Sequence, residues 1–381
     1  MSLQAEFIKG IDRTKIIKVS EKIREAWNDY FLESQYCQKQ INFGPEEKTN
    51  YMGDMLNYFD DTVELLERIP LKSNYQLALY DTVSVLQLMY IGQDLIDELR
   101  FVFKMSQSSG TDKLLIRTLR NELTGHPISR DKKNNFISSV FFTRNSHGEI
   151  IEYLRYHKDK DYKPEVIRHE WSELVRTHEA YLLENLNDIL ATIKSKLKRY
   201  QNQLAQFLKT FPKISLEGMI TKTEHLLETF FEHSNLYSTT NLHHFFRNQD
   251  LHPRYKHCID CFLRDLNRDL LQVTANLKQF RADELRAEDS QSDHQVMTRI
   301  VFTSSGEVFK AKPVQPNIRY HFSKLREKHP VFGIEYFIES YQDDPVLLCE
   351  LKHMQSANAD DREFYCSYEY LRHLFTIRGL L

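Results

Sequence analysis

Three side chains close together in the sequence, Arg120, Asn121 and His126, have the types that can handle a phosphate and a proton. A guanidinium is a fixed cation with planar donors suited to phosphate, and an imidazole accepts or donates a proton near neutral pH. The asparagine amide can orient either one by hydrogen bonding. With no acidic cluster beside it, this set suits metal-independent RNA cleavage. The ribose 2′-hydroxyl attacks the phosphate, the imidazole moves the proton, and the guanidinium stabilises the phosphorane charge.

Residues 115–130 position these side chains, and their pattern predicts an amphipathic helix that ends near His126. His126 follows Arg120 by six positions, which is about 240° around an unbroken α-helix, so the two would point apart. The helix must therefore open at Gly125, His126 and Pro127, and a glycine followed by an X-Pro bond permits this.

The run Arg120-Asn-Glu-Leu-Thr-Gly-His126, late in a helical segment, resembles the motif of the HEPN superfamily. That motif is an arginine, four to six residues and a histidine, with a polar residue, often asparagine, after the arginine. The resemblance covers roughly residues 14–135. It implies a helical bundle, a catalytic site at Arg120, Asn121 and His126, and a dimer in which two motifs form one site. Many HEPN proteins are RNases in toxin–antitoxin, abortive-infection and CRISPR systems, which implies 2′,3′-cyclic phosphate products.

Composition limits the class of protein. The chain has 381 residues, 41% apolar and 28% charged, which is typical of a soluble globular protein. Gly and Pro are scarce (11 and 10 residues), which favours long helices. The net charge of −3 means that nucleic acid must bind through a local patch. Five scattered cysteines fit a reducing cytoplasm, and we expect neither a signal peptide nor a membrane-spanning helix.

The first 163 residues are predicted to form a HEPN-like helical domain. Apolar residues at three- and four-residue steps predict helices over about residues 14–34, 50–69 and 74–105, and the helix that carries the motif follows. Two β-rich runs then flank residues 145–148, which indicates a β-hairpin over residues 136–154. Neither this hairpin nor the C-terminal region belongs to the minimal HEPN fold.

A long central helix is predicted over residues 164–212, and Pro212 ends it. It carries a heptad pattern of apolar residues that suits either a coiled-coil dimer seam or a core helix in a bundle. The pattern comprises Leu186, Leu190, Ile193, Leu197, Tyr200, Leu204, Phe207 and Phe211. Residues 213–381 are predicted to form a second, mostly helical domain with a small hairpin over residues 296–310. The predicted fold class is therefore mainly α.

A second motif, Arg247-Asn248 with His252 and Pro253, repeats the first with a gap one residue shorter. It could be a second half-site, although the stretch before it is not clearly helical. A loop with incidental polar residues is the other reading.

Two further groups of residues have a chemical reading and a plain one. A basic run on the long central helix could contact RNA phosphates. Such a run is more often simply the solvent-exposed face of its helix. The run comprises Lys194, Lys196, Lys198 and Arg199. His257, Cys258 and Cys261 have the spacing of half a zinc site, which Cys349 and Cys366 could complete only through folding. On a helix, Cys258 and Cys261 would instead lie one turn apart and face the core, so we expect no metal or other cofactor.

Three hypotheses follow, of which the last is a helical scaffold unrelated to HEPN. The first is a metal-independent endoribonuclease of HEPN type in phage defence or toxin–antitoxin function, with RNA as substrate, a homodimer as the assembly and an antitoxin or defence protein as a partner. The alternative is a catalytically silent HEPN-like binding or assembly module. In the plainest reading, Arg120 forms a surface ion pair and His126 caps a helix C-terminus.

Overall fold

The structure is a computed structural model of the chain. It describes residues 13–32, 34–43, 50–67, 75–108, 110–146, 149–232, 236–282 and 318–381. The predicted hairpin at residues 296–310 lies outside these ranges. The described part is mainly helical with one small antiparallel sheet, so the predicted fold class is confirmed at that level.

The chain divides into two compact units between Tyr200 and Gln201. The first unit contains the motif. Its helices are α1 (Arg13–Ala26), α2 (Gln35–Gln38), α3 (Tyr51–Glu67), α4 (Tyr75–Val102), α5 (Thr111–Arg120) and the first part of α6 (Trp171–Thr210). Two wide π-helical turns, Trp27–Phe31 and Asn121–Gly125, extend α1 and α5.

The sheet of the first unit has four antiparallel strands in the order of the sequence. They are β1 (Ile128–Arg130), β2 (Phe136–Phe142), β3 (Ile150–His157) and β4 (Pro164–Glu170). The predicted hairpin corresponds to β2 and β3, which pair with Ser139 opposite Tyr156. The sheet therefore extends the hairpin by one strand on each side.

The prediction that a helix begins at residue 164 was wrong. Residues 164–170 form β4, which pairs with β3 along its whole length, and α6 begins only at Trp171. These residues form a strand because Glu165, Ile167 and His169 lie on the partly buried side, while Val166 and Arg168 face outward. That two-residue period is typical of a half-buried strand. The predicted domain boundary at residues 163 and 164 therefore falls between two paired strands.

The apolar heptad positions of α6 are buried within the chain's own fold. Leu186, Ile193 and Leu197 have no exposed surface. In the first unit, α6 also receives polar contacts from α4, where Arg100 donates to the Asn185 side chain at 3.0 Å. This is the arrangement expected of a core helix, so these side chains are not presented to a second chain.

The motif helix rests on a continuous core. Ile116, Leu119 and Leu123 on the inner side of α5 and its final turn are buried. They belong to one apolar cluster with α4, the sheet and the start of α6. The partners include Val85, Leu86 and Met89 of α4, Val140, Ile151 and Tyr153 of the sheet, and Trp171, Leu174 and Val175 of α6. This cluster fixes the position of α5 relative to α4, β2 and β3.

The second unit contains the remainder of α6 and further helices. These are α7 (Leu216–Leu226), α8 (Thr229–Glu232), α9 (Thr239–Asn248), α10 (Pro253–Ala282), α11 (Ile318–Arg326), α12 (Tyr336–Ser340), α13 (Pro345–Ser356) and α14 (Asp361–Ile377). A π-helical turn over Pro330–Glu335 precedes α12. No helix among the described residues combines the length and apolar character needed to cross a bilayer.

Candidate functional site

The final turn of the motif helix is wide rather than α-helical. The backbone N–H of His126 donates to the carbonyl oxygen of Asn121 at 2.7 Å, a bond that spans five residues instead of four. His126 then leaves the helix with φ −139° and ψ 62°, and β1 begins two residues later. The helix thus ends where Gly125 and Pro127 indicated. The wide turn places His126 above Asn121 at the end of the helix.

The guanidinium of Arg120 is held by three neighbours. Its Nε donates to the Gln87 Oε1 at 3.1 Å, and its Nη1 donates to the Asn121 Oδ1 at 3.1 Å. Its central carbon lies 4.5 Å from the centre of the Tyr90 ring, within cation–π range. Gln87 and Tyr90 lie nearly one turn apart on α4, so packing of α4 against α5 fixes the direction in which Arg120 points.

The Arg120 side chain lies along the wide turn, close to Gly125. A Cβ atom added at Gly125 would lie only 2.9 Å from the Arg120 Nη1. Glycine therefore allows the guanidinium to lie against the backbone of the residue just before His126. The cation and the imidazole are carried by the same end of one helix.

Glu122, inside the wide turn, ties the turn to the inner face of the sheet. Its carboxylate lies 3.3 Å from the Arg155 Nη1, and the Tyr153 hydroxyl donates to it at 3.4 Å. Burial, with the nearby Glu122 charge, raises the pKa of Tyr153, so this hydroxyl stays protonated as a donor. His169 stacks on Tyr153 with ring centres 6.2 Å apart, and burial lowers its pKa.

His126 and Asn121 are exposed, and Arg120 is half-buried. In the described part of the chain, no side chain hydrogen-bonds to the His126 ring, and no hydrogen bond uses the Arg120 Nη2. The site therefore has a fixed cation, whose Nη2 can still donate a hydrogen bond to a ligand, near a solvent-accessible imidazole. That pair can bind an anion and move a proton.

The second motif has a different arrangement. Residues 239–248 form α9, so the expectation that this stretch is not clearly helical was wrong, and Arg247 lies at a helix end as Arg120 does. Asn248, however, donates to the carbonyl oxygen of His244 at 2.9 Å, so it does not orient Arg247. The Arg247 side chain is exposed and has no hydrogen bond or ion pair within the described ranges.

His252, the last member of the second motif, is occupied by local contacts. Its Nδ1 accepts from the backbone N–H of Arg254 at 3.3 Å, and its Nε2 lies 3.9 Å from the Glu350 Oε2. Burial lowers its pKa, and so do the Arg254 charge and His353. The structure therefore does not bring Arg247, Asn248 and His252 together as a set.

Sequence reasoning missed a polar cluster around Glu363 in the second unit. The Glu363 carboxylate lies 2.5 Å from the His244 Nε2 and 3.2 Å from the His353 Nε2, and the Tyr255 hydroxyl donates to it at 2.9 Å. Burial acts to raise the pKa of Glu363, but these three hydrogen bonds outweigh it and leave the pKa below the usual value. No short sequence spacing links these residues, since α9, α10, α13 and α14 each contribute one.

The cysteine pair on α10 is held by other contacts. The Cys258 Sγ is buried and lies 3.4 Å from the Cys366 Sγ, while the Cys261 Sγ lies 3.4 Å from the His257 Nε2. Within the described residues, no three His, Cys, Asp or Glu side chains have the geometry to hold a metal ion.

The basic run on α6 is only partly accessible. The Lys196 Nζ donates to the carbonyl oxygen of Gln40 at 2.8 Å, and burial with two nearby cations lowers its pKa. Lys194 is half-buried, whereas Lys198 and Arg199 are exposed.

Gln87 and Tyr90 are the residues nearest the motif that sequence reasoning missed. They lie thirty or more positions before Arg120. The helix α4 carries other polar residues and other tyrosines, so nothing in the sequence marks these two as partners of Arg120.

Comparisons with known proteins give no relationship for this chain. No protein-family model matches it. No curated protein matches it. No solved structure matches it.

Proposed function

We propose that the chain is a metal-independent endoribonuclease of HEPN type that cleaves RNA through attack of the 2′-hydroxyl. One observation carries this proposal: the Arg120 guanidinium lies along the final helical turn against Gly125, the residue before His126. A phosphate-binding cation and a proton carrier thus share one solvent-accessible helix end. DNA lacks the 2′-hydroxyl and would not react in this way.

Each residue has a role in this mechanism. Arg120 stabilises the negative charge that develops on the phosphorane. Asn121 and Gln87 orient the guanidinium through the hydrogen bonds described above. His126 takes the proton from the 2′-hydroxyl or gives one to the departing 5′-oxygen. One imidazole cannot do both in a concerted step, so we place a second His126, from a second copy of the chain, opposite the first.

The surface of α4 supports a homodimer at this site. Tyr80 and Val83 lie on α4 with 70% and 39% of their surface exposed. They lie on the side of α4 that continues to Gln87 and Tyr90, which hold Arg120. A second copy packed on this apolar strip would bury it and bring the two motifs together. Exposed Lys198 and Arg199 are proposed as additional phosphate contacts.

The biological setting follows from the resemblance alone. We propose a function in phage defence or in a toxin–antitoxin pair, with an antitoxin or defence protein as partner. We propose that such a partner would restrain the activity by covering the exposed helix end at His126.

The alternative, a catalytically silent binding or assembly module, is favoured by one specific observation. No side chain in the described ranges orients the His126 ring, whereas catalytic imidazoles are commonly oriented by a third group. In that case the Arg120 cluster would serve to bind an anionic partner without reaction.

The test is incubation of the purified protein with RNA in EDTA. We expect cleavage to products with 2′,3′-cyclic phosphate ends, and a loss of at least about 100-fold for Arg120→Ala and for His126→Ala. Arg247→Ala is the matched control, because Arg247 also ends a helix beside an asparagine but is not held toward its histidine. We expect this variant to retain wild-type cleavage.

Cleavage that survives both Arg120→Ala and His126→Ala would overturn the assignment of the site. The absence of cleavage with every RNA tested, by a folded wild-type dimer, would favour the silent module. A loss of cleavage with Arg247→Ala equal to that with Arg120→Ala would mean that the two motifs of one chain act together.

A further inference from the structure

The sheet of the first unit has one face that packs on the core and one that is open. Val140, Ile151 and Tyr153 point inward and are buried. Phe141, Val166 and Ile128 point outward with 51%, 59% and 60% of their surface exposed. We call the outward side, formed by these three residues with Leu154 and Tyr156, the outer sheet face. Large apolar side chains exposed together on one face indicate a binding surface.

The outer sheet face is aromatic at its centre. Phe141 pairs with Leu154 on β3, and Leu154 pairs with Val166 on β4, so the three form a row across the sheet. The Tyr156 ring lies beside this row, 6.2 Å from the Phe141 ring and inclined to it by 69°. Aromatic rings on an open sheet are a surface on which nucleotide bases stack.

This face begins at the candidate site. Ile128 pairs with Ser139, and the Val140 N–H donates to the carbonyl oxygen of Pro127 at 2.8 Å. His126 precedes β1 by two residues, so one further position along this register would place it opposite Phe141 at the edge of the sheet. A strand of RNA lying across Phe141 would therefore have its backbone close to the imidazole.

The sheet also carries positive charge. Residues 128–170, which span the four strands, contain nine Lys and Arg and seven Asp and Glu, whereas the whole chain has a net charge of −3. Five exposed lysines lie in two turns at one end of the sheet: Lys132, Lys133, Lys158, Lys160 and Lys163. The two turns are neighbours, because the Tyr162 hydroxyl in the second turn donates to the carbonyl oxygen of Phe136, which follows the first turn, at 2.9 Å.

We propose that the outer sheet face binds unpaired RNA, with a base stacked on Phe141 and the phosphates directed along the lysine-bearing turns. That the bound strand is also the substrate rests on the proposed ribonuclease function. It makes single-stranded RNA the substrate class, because bases within a duplex are stacked on one another and cannot lie on Phe141. An apolar protein partner would not need the adjoining lysines.

The test measures binding separately from cleavage. The full-length protein is titrated into a fluorescent single-stranded DNA oligonucleotide, which lacks the reactive hydroxyl, and into the same sequence as a duplex. We expect the single strand to bind more tightly. Phe141→Ala should weaken its binding about 5- to 150-fold, the range for losing one base-stacking ring. Phe141→Tyr, which keeps a ring, should bind as wild type does.

Phe101→Ala is the matched control, since Phe101 on α4 is 58% exposed but lies off the sheet. It should leave binding unchanged. Replacing Lys132 and Lys133 together with alanine should flatten the dependence of affinity on salt, because fewer counterions are released. Tryptophan fluorescence checks that each variant is folded.

The proposal is overturned if Phe141→Ala binds as wild type does, if the duplex binds as tightly as the single strand, or if wild type binds neither. A protein partner whose binding is lost with Phe141→Ala, in the absence of oligonucleotide binding, would also overturn it. If single strands bind through Phe141 but RNA is never cleaved, the inference stands and the ribonuclease proposal fails. If Phe141→Ala binds the single strand as wild type does and cleaves RNA normally, the inference about the sheet face fails and the ribonuclease proposal stands.

Discussion

The Arg120 Nε donates to the Gln87 Oε1 at 3.1 Å, which links the motif helix to α4. This bond leaves the Nη1 atom directed toward the end of the helix, where Asn121 and Gly125 lie. Gln87 is therefore a positioning residue for the proposed reaction.

Gln87→Leu removes the acceptor while keeping the volume of the side chain. We expect RNA cleavage to fall about 10-fold or more, because a hydrogen bond to a charged group is lost and Arg120 gains freedom. Gln87→Glu keeps an acceptor for Nε and should retain most of the activity. The measurement is the rate of cleavage at saturating RNA. Equal rates for wild type and Gln87→Leu would show that Arg120 does not depend on this bond.

Gly125→Ala tests the close approach of Arg120 to the wide turn. The new Cβ would lie 2.9 Å from the Arg120 Nη1, and the guanidinium can yield because it is the end of a flexible side chain. We expect the free energy of unfolding to change by less than about 1 kcal/mol. Cleavage should fall about 10- to 100-fold through misplacement of the cation.

Gly110→Ala is the control for this substitution, since a Cβ at Gly110 would contact nothing within 4 Å. It should leave cleavage unchanged, and because Gly110 is the N-cap of α5 its effect on the free energy of unfolding should be a modest loss. Normal cleavage by Gly125→Ala would mean that the observed position of Arg120 is not the one used in the reaction.

The proposed dimer predicts different outcomes for two substitutions. Tyr80→Glu adds a charge to the exposed strip on α4 and should shift the mass measured by light scattering from dimer to monomer, with loss of cleavage. Leu65→Glu changes a residue with a comparable exposed fraction, 52%, on α3 and should leave the dimer intact. A wild-type protein that is monomeric at all concentrations, or a dimeric Tyr80→Glu, contradicts the assignment of this face.

Burial of His178 predicts a loss of stability in acid. Its ring lies on α6 against Gly92, and burial lowers its pKa to about 3. The unfolded chain takes up the proton near its ordinary pKa of about 6.5, but the folded chain does not. The free energy of unfolding is therefore highest above about pH 6.5 and falls, by up to about 1.4 kcal/mol per pH unit, as the pH drops toward 3.

This loss can be measured in the first unit by tryptophan fluorescence in urea. The two tryptophans of the chain, Trp27 and Trp171, both lie in that unit and are buried. Between pH 7 and pH 5, His178→Leu should lose about 2 kcal/mol less stability than wild type. The same loss in both proteins would show that His178 can be protonated without unfolding.

The order of helices and the break after Gly125 could be predicted from the sequence because both depend on local patterns. Apolar spacing predicted α3 and α4, and a glycine followed by His-Pro predicted the end of the motif helix. The wide turn itself was not predicted, since it differs from an α-helical turn by one hydrogen bond.

Tertiary pairing accounts for what the sequence did not show. The local pattern predicts a helix from residue 164 and not β4, because the stability of β4 comes from pairing with β3, a partner that local periodicity does not reveal. Gln87 and Tyr90 reach Arg120 only through the packing of α4 on α5. The contacts of His252 with Glu350 likewise join residues almost a hundred positions apart.

The five-residue turn Asn121–Gly125 also affects how this stretch would align with related motifs. A π-helical turn holds one residue more than an α-helical turn. Deleting one residue there would restore the ordinary turn and shorten the spacing between arginine and histidine, while leaving α5 and β1 in place. A gap in a sequence alignment with a shorter motif therefore belongs inside this turn, where the helix can absorb an insertion without moving its flanks.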